Sequence, residues 1–175
     1  MWPFKRKKQR KNPPRTLDPQ PKSRTMDEVR TRLKRYRDLE ATPEWVDARK
    51  VLDRHFALTE RLRKTYAARA SVGIQPSIAI CEEMIRMAPQ ADKALRVDHE
   101  YHNRAYDMHH PGEKSNRREF KPLVNLGYKQ LVIICEKQGD YAEAIRLSRQ
   151  AKKQGWAGDW DKRIARLEAK QRKGS

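Results

Sequence analysis

Five histidines and two cysteines are the side chains of this sequence best suited to holding a metal. His99 and His102 stand three residues apart on one predicted helix face, and His109-His110 follow in a stretch of loop composition. Zinc commonly takes four Cys or His ligands that arrive in closely spaced pairs. Here Cys81 and Cys135 are single residues within apolar helix faces, and no Cys-x-x-Cys or His-Glu-x-x-His pattern exists. His99-Glu100-Tyr101-His102 is one residue too short for the zinc-protease helix. The histidines therefore read as partly exposed polar residues, and no metal ligand is expected among them. Covalent catalysis has no better candidates. Both cysteines read as small core residues, no Gly-x-Ser-x-Gly elbow appears, and Glu136 and Asp140 flank a turn, where surface acids are ordinary. The expectation is a protein without catalytic residues or cofactor.

Charge is the stronger signal. The 175 residues carry 41 Lys and Arg against 23 Asp and Glu, a formal net charge of +18. Residues 1–24 alone hold nine of those cations against the single acid Asp18, together with five prolines. Proline opposes helix and like charges repel, so this stretch is expected to be a disordered basic arm. Lys5, Arg6, Lys7, Lys8, Arg10 and Lys11 cluster within it, and Arg30, Lys34 and Arg37 carry the positive field onto the first predicted helix. Together with Arg32 and Arg35, those helix cations fall at several angles and form a broad belt. Cations in such clusters displace counterions from phosphates, which gives sequence-independent, salt-sensitive contact with nucleic acid. Trp2 and Phe4 beside Lys5–Lys8 offer a second use, weak peripheral contact with an anionic membrane surface. A solubilising tail without a fixed partner is the third.

The elements that must carry these groups are helices. The longest uninterrupted apolar run, Leu131–Cys135, has five residues, far short of the roughly 20 that span a bilayer. No signal-peptide core follows the basic start, and two isolated cysteines suit a reducing compartment, so a cytoplasmic protein is expected. Thr25-Met-Asp-Glu28 is a capping-box pattern, followed by Met26, Val29, Leu33 and Tyr36 at helical spacing. Thr42-Pro43-Glu44 restarts the chain with a cap and an N-terminal proline. Trp45, Ala48, Leu52, Phe56, Leu62 and Tyr66 then mark the apolar face of a helix to about residue 69. Gly73 breaks it, a helix opens at Pro76 and closes at Pro89, and another runs to about residue 106. Two tighter helices are predicted near 122–138 and 141–154, and Asp159 opens a last one. No segment alternates with period two. The fold class is all-α with about seven helices, in one domain over 25–173.

The sharpest local pattern lies between Tyr128 and Trp156. Tyr128, Leu131, Val132 and Cys135 line one helix, Gly139-Asp140-Tyr141 turns the chain, and Ala144, Ile145, Ser148 and Ala151 line the next. This resembles a tetratricopeptide repeat, a helical hairpin of about 34 residues with small residues where its two helices cross. Ser77–Cys81 through Met84-Ile85 to Ala88-Pro89 resembles the second helix of another such unit. The string from Gly127 to Arg163 is also similar to uncharacterised bacterial repeat-like proteins, which bring no activity with them. Both a stacked α-solenoid and a compact bundle fit these pairs. The resemblance implies a non-enzymatic adaptor that binds another protein in a groove lined by the first helix of each pair. By that resemblance the groove residues are Lys129, Ile133, Glu136 and Lys137, and the two lysines suit an acidic segment. The composition leaves the oligomeric state open.

Overall fold

The computed structural model describes residues 25–40, 42–110 and 117–174. The basic arm, with Trp2 and Phe4, lies outside the described residues, as do 111–116 of the expected loop. Among the described residues the protein is all-α. Its helices are α1 (Met26–Glu40), α2 (Pro43–Ala67), the single turn α3 (Arg69–Val72), α4 (Gln75–Arg86), α5 (Ala88–His109), α6 (Leu126–Gln138), α7 (Tyr141–Lys153) and α8 (Trp160–Gly174).

Local chemistry starts and stops these helices. The capping box at α1 forms as its spacing predicts: the Thr25 amide donates to Glu28 Oε2 at 3.0 Å, and the Glu28 amide donates to Thr25 Oγ1 at 3.3 Å. Thr42 does not act as the expected side-chain cap. Its hydroxyl donates back to the Leu39 carbonyl at 3.1 Å, so Pro43, which needs no amide partner, opens α2 alone. Between α6 and α7, Gly139 takes the left-handed conformation at φ 81°. The amides of Gly139 and Asp140 then close onto the carbonyls of Glu136 and Cys135. Asp140 caps α7 by accepting from the Glu143 amide at 3.0 Å. It is thus a structural cap and not a free surface acid.

Packing follows a zigzag. Helix α2 packs on α4, α4 on α6, α6 on α7 and α7 on α8. Gly127, at the start of α6, lies against Cys81 and Met84 in the second half of α4, so those helices run antiparallel; an added Cβ there would stand 2.7 Å from Met84 Cβ. Arg54 Nη2 meets Glu83 Oε1 at 2.6 Å across the equally antiparallel α2–α4 hairpin. Helices α2, α6 and α8 therefore run in one direction, while α4 and α7 return between them. Leu58, Leu62, Ile80, Cys81, Met84, Tyr128, Leu131, Val132, Ala144, Ile145, Ala151, Trp156, Trp160 and Leu167 share the core. Each such large apolar side chain stabilises the fold by about 1.5–3 kcal/mol through burial.

Helix α5 interrupts the zigzag by packing against α2, and α1 packs against α5. Trp45 stacks on Tyr101 with ring centroids 4.4 Å apart and donates through Nε1 to Asp98 Oδ1 at 3.2 Å. Two apolar expectations change here. Met26 and Leu33 are 68% and 56% exposed, because among the described helices α1 packs mainly against α5. On α2 the buried stripe is Ala48, Leu52, His55, Leu58 and Leu62, leaving Phe56 turned outward at 43% exposure.

Candidate functional site

The residues expected to line a groove sit on the outer face of α6. Lys129 and Lys137 are exposed, and Ile133 and Glu136 are half-buried. Spacings of four and three residues place them along one stripe, opposite the buried Leu131, Val132 and Cys135. The parallel neighbours of α6 complete the surface. From α8, Arg166 Nη2 donates to Glu136 Oε2 at 2.7 Å and Lys170 Nζ donates to Glu136 Oε1 at 2.8 Å. From α2, the Tyr66 hydroxyl accepts from Lys137 Nζ at 3.5 Å. The four predicted residues therefore come together, on a face shared by three parallel helices. Glu136 differs from the other three because it is already held.

Electrostatics give that face its character. Partial burial opposes ionisation of Glu136, but the hydrogen bond from Lys170 and the Arg166 charge outweigh it, and its carboxyl is held below the usual range. One carboxylate thus answers two cations. Lys129 has no ion-pair partner among the described residues, and Lys137 has only the tyrosine hydroxyl. On α6 and α8 this face carries the exposed Lys129 and Lys137 together with Arg166 and Lys170, the last two held by Glu136, and Ile133 lies on the same α6 stripe. Sequence reading missed Arg166, Lys170 and Tyr66. The one available signal was the four-residue spacing of the two α8 cations, and using it required knowing that α8 lies beside α6.

The other predicted cations fall elsewhere. Arg30, Lys34 and Arg37 are exposed on α1, where their spacing of four and three residues puts them along one stripe; the side chains of Arg32 and Arg35, the other members of the expected belt, lie outside the described residues. Arg30 has a loose ion pair with Asp27 at 3.8 Å. Lys5, Arg6, Lys7, Lys8, Arg10 and Lys11 lie outside the described residues.

The residues weighed for metal and nucleophilic chemistry have definite places. Cys81 and Cys135 are buried across the α4–α6 contact. Burial, with the Cys135 and Glu82 charges adding to it, pushes the Cys81 thiol up to about 12, and burial likewise raises Cys135. Neither is a thiolate near neutral pH. His99, His102, His109 and His110 do converge, lining one cavity between α5 and the segment 118–123. Among the described residues no group of three or more His, Cys, Asp or Glu side chains is placed to hold a metal ion. His55 is buried in α2, facing Trp156 with ring centroids 6.2 Å apart, and burial lowers its pKa.

Compared with family models, curated proteins and solved structures, the chain finds no match.

Proposed function

We propose that this protein is a non-enzymatic helical adaptor of tetratricopeptide type that captures an acidic segment of another protein on the α2–α6–α8 face. The observation carrying this reading is the clamp on Glu136, whose one carboxylate is shared by Arg166 and Lys170 of α8, while Lys129 and Lys137 on the same α6 stripe have no carboxylate partner among the described residues. The zigzag supports it. Two antiparallel hairpins, α2–α4 and α6–α7, are followed by α8, so α2, α6 and α8 stand where the groove-forming helices of stacked repeats would stand. Carboxylates of an incoming segment compete with Glu136 for Arg166 and Lys170. Lys129 and Lys137 add charge on either side, and Ile133 offers an apolar contact. No helix among the described residues is long and apolar enough to cross a membrane, and the cytoplasm is the setting we propose for this contact.

The reading is tested by anisotropy titration of a labelled peptide rich in Asp and Glu into the full-length protein. The Lys129→Glu, Lys137→Glu variant weakens binding at least tenfold, about 1.4 kcal/mol, with an unchanged circular dichroism spectrum. Unchanged affinity in that folded variant refutes the site.

The exposed Arg30–Lys34–Arg37 stripe favours a second reading. Helix α1 would extend a basic arm that holds nucleic acid without sequence preference. On this reading the charge is the function and the helical body is its carrier. The same arm, with Trp2 and Phe4, would give weak contact with an anionic membrane.

A further inference from the structure

The cavity lined by the four histidines is not part of the basic face, and its construction points to a ligand. It is an open cleft of about 580 Å³ between the second half of α5 and residues 118–123, within the range of small-molecule sites. Its outer wall is irregular chain that is nevertheless pinned. The buried Asn103 donates through Nδ2 to the Arg118 carbonyl at 3.2 Å, and its Oδ1 accepts from the Arg118 amide at 3.2 Å. Further along, the Leu123 carbonyl accepts from the Ala157 amide at 3.0 Å. Phe120 is fixed between the His99 ring, edge-on at 5.4 Å between centroids, and the Arg96 guanidinium, 4.6 Å from the centre of its ring.

The charges of this cavity do not balance. Among the described residues Asp98 is the one carboxylate in its lining, and it is already committed to Trp45 Nε1 at 3.2 Å, Arg49 Nη1 at 3.5 Å and His102 Nε2 at 3.5 Å. Arg118 and Lys121 also line the cavity, and neither has a carboxylate partner among the described residues. His99 Nε2 is buried with no hydrogen-bond partner there, an unmet need that native structures seldom leave without a ligand or water. Leu95, Leu123, Phe120 and the imidazole rings supply flat apolar walls. We propose that this cavity binds a small organic anion with a flat apolar body. The anionic group would meet Arg118 and Lys121, and the body would lie against Phe120 and the histidine rings.

Anilinonaphthalene sulfonate carries both features, and phenylnaphthylamine is its uncharged counterpart. In fluorescence titrations the full-length protein binds the sulfonate saturably and at least tenfold more tightly than the neutral probe. Arg118→Glu with Lys121→Glu lowers sulfonate affinity at least tenfold, Phe120→Ala weakens both probes, and Lys129→Glu with Lys137→Glu leaves the sulfonate affinity as it was. Equal affinity of the two probes for the unaltered protein overturns the proposal. So does full sulfonate affinity in the charge-reversed cavity variant, or loss of binding from the α6 substitutions. Should charge reversal disturb folding, Arg118→Gln with Lys121→Gln applies the same test with polar side chains retained, and unchanged sulfonate affinity there is equally fatal.

Discussion

His55 is a buried histidine whose ring meets two aromatic rings, Phe56 edge-on and Trp156 stacked. Burial holds its pKa below the ordinary value of 6.5, so the folded state prefers the neutral imidazole. The unfolded chain binds the proton more readily. The contribution of His55 to stability is therefore complete above pH 6.5 and falls as the pH drops from there toward the lowered folded value. Chemical denaturation at about pH 5 and about pH 7.5 should show the lower midpoint on the acidic side, and His55→Gln should reduce that difference. An equal difference in the variant would assign the effect to other groups. Gly127 is constrained by contact. An alanine Cβ would meet Met84 Cβ at 2.7 Å and the Cys81 carbonyl at 3.0 Å, so α4 and α6 would have to separate. Gly127→Ala should destabilise by about 1–3 kcal/mol, the usual cost of overpacking a tight core. Thermal denaturation matching the parent protein would show that the crossing is looser than its geometry.

At the scale of elements, α1 is the weakly anchored piece. It packs on α5 and turns Arg30, Lys34 and Arg37, with Met26 and Leu33, to solvent. If this stripe holds phosphates, each contact it makes contributes roughly −0.9 to the slope of log affinity against log salt on duplex DNA. Arg30→Ala, Lys34→Ala and Arg37→Ala together should then flatten the slope by about 2–3, and an unaltered slope removes α1 from any nucleic-acid contact. The start of α1 and the turn between α6 and α7 were legible in sequence because a capping box and a turn glycine act within a few residues. The start of α6 was not: expected near residue 122, it lies at Leu126, behind Asn125, whose side chain accepts from the Tyr128 amide, and the capping role of Asp140 was likewise unread. The insertion of α5 between hairpins and the exposure of Met26 and Leu33 were not legible. They depend on how many neighbours a helix acquires, and periodicity shows only that a helix has an apolar side. The slip from Phe56 to His55 has a related cause. The two are adjacent, and a polar ring is buried because an aromatic partner, Trp156, arrives from about a hundred residues away.

Across the whole molecule, three parallel helices place residues from distant parts of the chain on one face. Lys129, Ile133, Glu136 and Lys137 could be chosen from the sequence because a repeat-like hairpin implies which side of α6 is outward. Their chemistry could not be read fully, since Glu136 looked like one surface acid and is in fact clamped by Arg166 and Lys170 from α8. That clamp makes the adaptor reading sharply testable. If an acidic segment competes with Glu136 for those cations, removing the internal carboxylate should strengthen binding, although it removes an ion-paired group from the site. Glu136→Gln should therefore bind a peptide rich in Asp and Glu several-fold more tightly than the parent protein, whereas Arg166→Ala with Lys170→Ala should bind it at least tenfold more weakly, about 1.4 kcal/mol. Equal or weaker binding by a folded Glu136→Gln variant would contradict the claim that this face awaits a partner's carboxylates.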